Sequence, residues 1–320
     1  EGLAYWRSYI GRFLWWADIM RSAMNIDAYD KPYFSKVGYF PMYLQPPGAK
    51  RGGFGDLCGH LKSDGNVELM NIFAAQAQNR YWQWYVEAHG GEDKGNTYID
   101  FVRGTLPKPK AKSPKELPDS RLFRGTGLAM LHTDLTNARN DVFIEFKSSP
   151  FGTQSHGYDA QNSFILYAYS EPLLIRTGRR DSYGSKHHRE WMWHTKSVNS
   201  ILVNGRSQGK RSQDAQGEIV DFHTSKDFDY VAGEANQAYP DGLLDKFTRG
   251  ILFIKPQVIL IFDRLEAPEP SKFQWLMHAP TQMKINGQHD ITVENGDAGC
   301  RVSFLYPSNL KVSQTDKFDP

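Results

Sequence analysis

Ser155-His-Gly-Tyr-Asp-Ala-Gln-Asn-Ser-Phe-Ile-Leu-Tyr-Ala-Tyr169 is the stretch from which the rest of the chain can be read. Its second half, Phe164, Ile165, Leu166, Tyr167 and Tyr169, is an apolar, aromatic run with polar flanks, which predicts a buried strand. Its first half is loop-like. His156 stands beside Gly157, after Pro150, Gly152 and Thr153, and before Gln161 and Asn162. An imidazole and two amides at a strand mouth are one way to mount a site on a rigid scaffold. A loop histidine satisfied by backbone is the plainer reading, and both stand at this point.

Outward from that strand, the downstream sequence continues in short strand patterns. Val142, Ile144 and Phe146 alternate over 141–147, and 162–175 breaks into two strands near Ser170-Glu-Pro172. Further candidates lie at 200–204, 218–222, 230–232, 246–254, 257–263, 272–278, 290–294 and 301–306. Many short strands without intervening helices indicate an antiparallel sandwich. Upstream the period changes. Over 2–25, Trp6, Ile10, Phe13, Ala17 and Met20 recur at helical spacing and are expected to face a core. A neighbouring stripe carries Tyr5, Tyr9, Arg12 and Trp16, which either grips an acidic sugar or packs inside a helical array. A shorter aromatic helix is expected over 31–44, and one long helix from Ser63 or Asp64 to about Ala88. Arg51-Gly-Gly-Phe-Gly-Asp56 lacks the ending of a phosphate loop and reads as a cleft-rim loop. Leu-Pro-Lys-Pro-Lys-Ala-Lys-Ser-Pro-Lys-Glu-Leu-Pro, 106–118, reads as a solvated, extended tether. The expected organisation is therefore a helical part at 1–105, a Pro/Lys linker at 106–120 and a β-sandwich at 121–320.

Composition bounds the function. At 320 residues the chain is long for one core. A net charge of +2 demands neither nucleic acid nor an anionic membrane as partner. The two cysteines, Cys58 and Cys300, make no disulfide framework. No apolar run is long enough for a membrane span. The 8 Trp and 16 Tyr suit a sugar-binding cleft as well as a packed helical domain.

Several stretches together resemble the heparinase II/III-like polysaccharide lyases, including their alginate lyase-like members. These are Glu1-Gly-Leu-Ala-Tyr-Trp-Arg-Ser-Tyr9, Ser155 to Phe164, Leu173-Leu-Ile-Arg-Thr-Gly178, Asp181 to Arg189 and Ile201-Leu-Val-Asn-Gly205. Phe253 to Arg264 and Phe273-Gln-Trp-Leu-Met-His-Ala-Pro280 add to them. The resemblance implies an α+β multidomain chain: the C-terminal part of an (α/α) toroid, then an antiparallel β-sandwich. It implies β-elimination on a uronic-acid polysaccharide, with alginate first and heparan- or ulvan-like chains next. Tyr5 matches the catalytic tyrosine and His156 the sandwich-side catalytic histidine, while Tyr9, Arg12, Gln161, Tyr183 and His188 are expected to touch substrate. It also implies a secreted or periplasmic location, and an upstream segment of the same polypeptide that completes the toroid and carries an Asn-His pair.

Those residue types suit the chemistry. The C5 proton lies α to a carboxylate, which resists a second negative charge unless donors neutralise it. A base takes the proton and an acid protonates the departing oxygen. Tyrosine, with a usual pKa of about 10, donates readily at neutral pH; histidine, at about 6.5, serves as base or neutraliser. Some relatives hold a structural zinc through His, Asp and His. The matching positions here are Tyr158, Arg176 and Val198, so no metal or other cofactor is expected. Two other functions remain open: a catalytically incomplete carbohydrate-binding protein of this fold, and a hydrolase using carboxylates such as Asp56, Glu145 or Asp159.

Overall fold

The computed structural model describes residues 2–50, 53–55, 62–91, 98–153, 158–177 and 181–317. The chain divides into two compact units: one runs to Pro118 and includes Leu135–Ala138; the other comprises Asp119–Asp134 and Arg139 onward. No helix among the described residues is long and apolar enough to cross a membrane.

The first unit is helical: α1 (Leu3–Met24), α2 (Tyr39–Leu44), α3 (Val67–Gln76), α4 (Arg80–Ala88) and α5 (Tyr98–Arg103). The buried side of α1 is Leu3, Ile10, Leu14, Ala17 and Asp18: Ile10 and Ala17 of the expected stripe are buried, Trp6 and Met20 are half-buried, and Leu14 takes the place of Phe13. Phe13 turns outward and stacks on Phe34 at 5.7 Å. Asp18, on the same side, is buried and accepts from Tyr29 Oη at 2.7 Å and Arg103 Nε at 2.9 Å. A buried carboxylate needs such partners, so it draws its own face of the helix inward. α1 stops at Asn25, whose left-handed φ of 53° lets its N–H and the next one reach Arg21 O and Met20 O.

The long helix expected to reach Ala88 is two. Gln78 turns left-handed (φ 49°), and the Asn79 side chain accepts from the N–H groups of Tyr81 and Trp82, capping α4. The helix expected over 31–44 is regular only from Tyr39; the preceding residues form turns. The Pro/Lys stretch is no free tether. Gln78 Nε2 and Arg80 Nε donate to Pro107 O and Lys110 O, and Lys112 N donates to Arg80 O. Tyr43 Oη donates to Pro118 O at 2.7 Å. Prolines leave carbonyls without competing donors in their own segment, so the stretch lies as a strap against the helices.

The second unit is built of antiparallel strands. One sheet has the order β1 (Arg121–Phe123), β2 (Leu128–His132), β3 (Val142–Lys147), β4 (Ser163–Ala168), β5 (Glu171–Leu174). The two-residue turn between β4 and β5, Tyr169-Ser170, has φ of 55° and 68°, the twist that closes a tight hairpin. A second sheet has the order β10 (Val258–Glu266), β9 (Lys246–Ile254), β8 (Phe228–Glu234), β7 (Glu218–Thr224). β6 (Ile201–Val203) pairs with β11 (Phe273–Trp275), and β12 (Lys284–Asn286), β13 (Asp290–Asn295) and β14 (Ala298–Ser303) form a third sheet. The sequence reading did not contain β1, β2 and β12, which are short or follow glycine-rich turns.

One core joins these sheets. Leu131, Ile144, Phe146, Phe164 and Leu166 of the first sheet meet Ile219, Val231, Ile251 and Phe253 of the second and Ile291 and Val293 of the third. Asn162, left-handed at φ 52°, donates from Nδ2 to Gly233 O and Phe247 O and so fastens the start of β4 to the second sheet. A Cβ on Gly233 would lie 2.4 Å from Asn162 Oδ1 and 2.8 Å from the Phe146 ring. Gly233→Ala is expected to cost about 1–3 kcal/mol through overpacking, read as a lower urea midpoint; an unchanged midpoint would show that this packing is slack.

Candidate functional site

On α1, Tyr5 lies half-buried in the first turn. Tyr9, at 56% exposure, and Arg12 and Trp16 follow it outward on the same stripe. Among the described residues this face is not packed on both sides. It presents two phenols, a guanidinium and an indole to solvent, groups that hydrogen-bond and stack on sugars.

On the sheet side, His156 lies outside the described residues; the strand mouth that follows it is well defined. Gln161 does not face a ligand. It is fully buried, its Nε2 donates to Ser149 O and Ala215 O at 3.0 Å, and its Oε1 accepts from Ser149 N at 2.6 Å. With its amide saturated by backbone, Gln161 is corrected from substrate contact to a clamp holding the loop after β3. His188 is corrected as well. It is fully buried in a short π-helical turn, His188–Met192, where Nδ1 accepts from Gly184 N at 2.9 Å. Its ring packs against Trp193 at 4.5 Å and Tyr183 at 5.1 Å. Burial places it beneath Tyr183, which is 52% exposed and the only member of this trio open to a ligand.

Where the family resemblance implied a lost zinc site, the three positions are buried together. The Arg176 guanidinium lies over the Tyr158 ring at 4.7 Å, with Val198 in the same cluster as Tyr158. The guanidinium is itself a cation, and neither phenol nor valine is a usual zinc donor beside it. Among the described residues, no three His, Cys, Asp or Glu side chains gather so as to hold a metal ion.

Asp159, in sequence no more than a spare carboxylate, is the centre of a polar knot. Its backbone N–H donates to Trp193 O at 2.9 Å, and Ser207 Oγ donates to Oδ2 at 3.2 Å. Thr195 Oγ1 donates to Asp159 O at 2.7 Å. Burial is the main cause raising the carboxyl to about 8, against the opposing pull of Ser207, the Arg211 N–H, Lys210 and Lys147. Burial likewise lowers Lys147 to about 8. His194, close by, is lowered to about 4, first by burial and then by Lys196 and Lys210. The Arg211 guanidinium lies over the Trp193 ring at 4.2 Å, and Lys196 Nζ is 5.1 Å from the Trp191 ring. The signals in sequence were Trp191-x-Trp193 and Gly209-Lys-Arg211, too common in kind to single out alone.

The raised Asp159 pKa makes a stability statement. The folded state holds this proton more tightly than the unfolded chain, so its contribution is full below pH 4 and is lost as pH rises toward 8. Asp159→Asn removes that loss. Compared by urea unfolding at pH 5 and pH 8, the wild type is expected to lose at least about 2 kcal/mol more than the variant. Equal losses would mean that Asp159 ionises freely in the folded protein.

Residues 115–316 match the family described as heparinase II/III-like, C-terminal. A heparinase III structure superposes with a TM-score of 0.61 at 15% identity, covering 82% of this chain and 39% of that one. A heparan sulfate lyase from Pedobacter heparinus gives 0.57 at 14% identity, covering 80% and 35%. The chain thus spans under two-fifths of the length of these structures, and identities this low show a shared fold. Among curated proteins none matches the sequence.

Proposed function

The chain belongs to the heparinase II/III-like family, and from that premise we propose that it serves the β-elimination of an acidic, uronic-acid-containing polysaccharide. The observation that carries this reading is the match over 115–316, which includes the His156 stretch and the Asp159 knot. In the proposed reaction, Tyr5 protonates the departing 4-oxygen, and in a syn course also takes the C5 proton. His156 acts as base from the other side or neutralises the substrate carboxylate. Both roles need only a phenol and an imidazole placed against the reacting carbons. Tyr9, Arg12 and Tyr183 are proposed to hold the chain, and their exposure suits them to it.

The reaction as proposed draws on no metal or other cofactor. The donor chemistry of Tyr158, Arg176 and Val198, with a guanidinium already seated among them, supports that reading. Nothing about the site favours alginate, and the structures that resemble the chain are named for heparin and heparan sulfate. Such polymers lie outside cells, which makes a secreted or periplasmic protein, with an upstream segment completing the helical part, the accompanying expectation.

The test is to follow the ultraviolet absorbance of the unsaturated uronate product, using the polypeptide as it occurs in the cell and a panel of uronate polymers. Cleavage of at least one supports the lyase. Binding without any rise in absorbance would leave the catalytically incomplete carbohydrate-binding protein instead.

A further inference from the structure

We propose that β10 pairs antiparallel with β10 of a second copy of this chain, about a two-fold axis at Leu260, so that the second sheets of the two copies become one continuous sheet. None of its residues enters the proposed elimination, and the pairing stands whatever the reaction. β10 ends its sheet, whose order is β10, β9, β8, β7. Among the described residues, no hydrogen bond joins the outer backbone edge of 258–265 to another segment.

The two edges of this sheet differ. β7 is guarded: its register slips between Ile219 and Asp221, and Glu218, Asp221 and His223 stand exposed along it. Over Val258-Ile-Leu-Ile-Phe262, β10 carries no charge, no proline and no bulge, and its pairing with β9 is unbroken from Val258 to Glu266. Its one inward charge, Asp263, is taken by Arg249. Natural edges are blunted by such devices, and a long apolar edge without them calls for a partner strand.

Burial falls away toward β10 on both faces at once. On the core face, Ile251 and Phe253 of β9 are fully buried, while Ile259 and Ile261 of β10 are only half-buried. On the opposite face, Leu252 of β9 and Tyr230 of β8 are half-buried, while Leu260 is 45% and Phe262 74% exposed. A strand alongside β10 covers both rows from the flank; a body laid on one face covers one row only.

The sequence of β10 selects a second copy as that strand. Val258-Ile-Leu-Ile-Phe262 is apolar symmetrically about Leu260. Centred there, an antiparallel copy sets Leu260 against Leu260, Ile259 against Ile261 and Val258 against Phe262, with Gln257 facing Asp263. Centred at Ile261, Ile259 meets Asp263 and Val258 meets Arg264; centred at Ile259, Gln257 meets Ile261. Only the Leu260 centre opposes every apolar residue to another, which is the self-complementarity a two-fold interface requires. Seven paired residues from each copy bury on the order of 1,000 Å² in total, the small end of specific interfaces, so a micromolar dissociation constant is expected.

Sedimentation velocity on the polypeptide as it occurs in the cell, from about 1 to 100 µM, tests the pairing. Wild type is compared with Leu260→Lys, Leu260→Glu, an equimolar mixture of these two variants, and Leu305→Lys. Leu305, 84% exposed after β14, controls for loss of surface apolarity. Wild type is expected to dimerise. Each Leu260 variant alone loses at least about tenfold in affinity, because like charges then face each other across the axis. The mixture recovers at least about fivefold of that loss, because unlike charges face each other. Leu305→Lys changes affinity less than about twofold. Recovery in the mixture also shows that both variants are folded. Wild type that stays monomeric at about 100 µM would mean that another segment of the same polypeptide lies along β10, and the pairing is then wrong. A Leu260→Lys protein that dimerises like wild type, a mixture no tighter than its components, or an equal loss from Leu305→Lys overturns it as well.

Discussion

Tyr5→Phe is expected to lower kcat on a cleaved uronate polymer by about 10²–10⁴-fold, the range that positioned proton transfer supplies. The substitution removes one hydroxyl from a half-buried ring on the first turn of α1 and leaves the apolar stripe Leu3, Ile10, Leu14 and Ala17 untouched. Its thermal midpoint should therefore stay near that of the wild type, which separates lost chemistry from lost structure. His156→Ala is expected to give a loss of the same order. If the imidazole is the base, wild-type activity climbs with pH through the usual histidine range near 6.5, and that limb vanishes in the variant. A Tyr5→Phe protein that turns over at wild-type rate would remove the phenol from the mechanism. The same result with Tyr9→Phe reduced would move the role one helical turn along the stripe.

Asp263→Ala is expected to cost about 3–5 kcal/mol of stability, the largest structural effect of any single substitution considered. Arg249, on β9, is 0% exposed. Its Nε and Nη2 donate to Asp263 at 2.7 and 2.6 Å, and its Nη1 donates to Asn162 O and Asn199 O, both at 2.8 Å. The rings of Phe164, Phe247 and Trp275 surround the guanidinium at 5.5–5.6 Å. Removing Asp263 leaves a buried cation among aromatic rings with only carbonyls to face it. It also strips Trp275 Nε1 of its acceptor at 2.9 Å. Replacing both partners, Arg249→Met with Asp263→Leu, should cost clearly less than Asp263→Ala alone, because no charge is then stranded. Urea unfolding of the three proteins decides it: a double variant as unstable as the single would mean that the pair stabilises rather than merely neutralises itself.

Arg249 also shows what pattern reading could see. Its strand was plain from the alternation of Phe247, Ile251 and Phe253, yet an arginine on the inward face has no sequence signal; only Asp263 across the β9–β10 pair accounts for it. Gln161 and His188 illustrate the opposite error. Both look like polar equipment at a loop, and both are consumed by backbone or aromatic neighbours brought from 40 or more residues away or from within the same turn. The burial of Asp18 on α1 has a like cause, since its partners come from Tyr29 and Arg103.

Periodicity and turn chemistry are properties of neighbours in sequence, and they were enough to place helices ahead of strands, a break between two strands near Ser170, and most strands of the second unit. Motif resemblance was enough for the family. Burial is a property of neighbours in space. Which polar groups are saturated, which cations are pinned on indoles, and which carboxyl keeps its proton all depend on desolvation and on partners distant along the chain. For that reason Asp159, Lys210 and Arg211 emerged as a cluster only once the chain was folded.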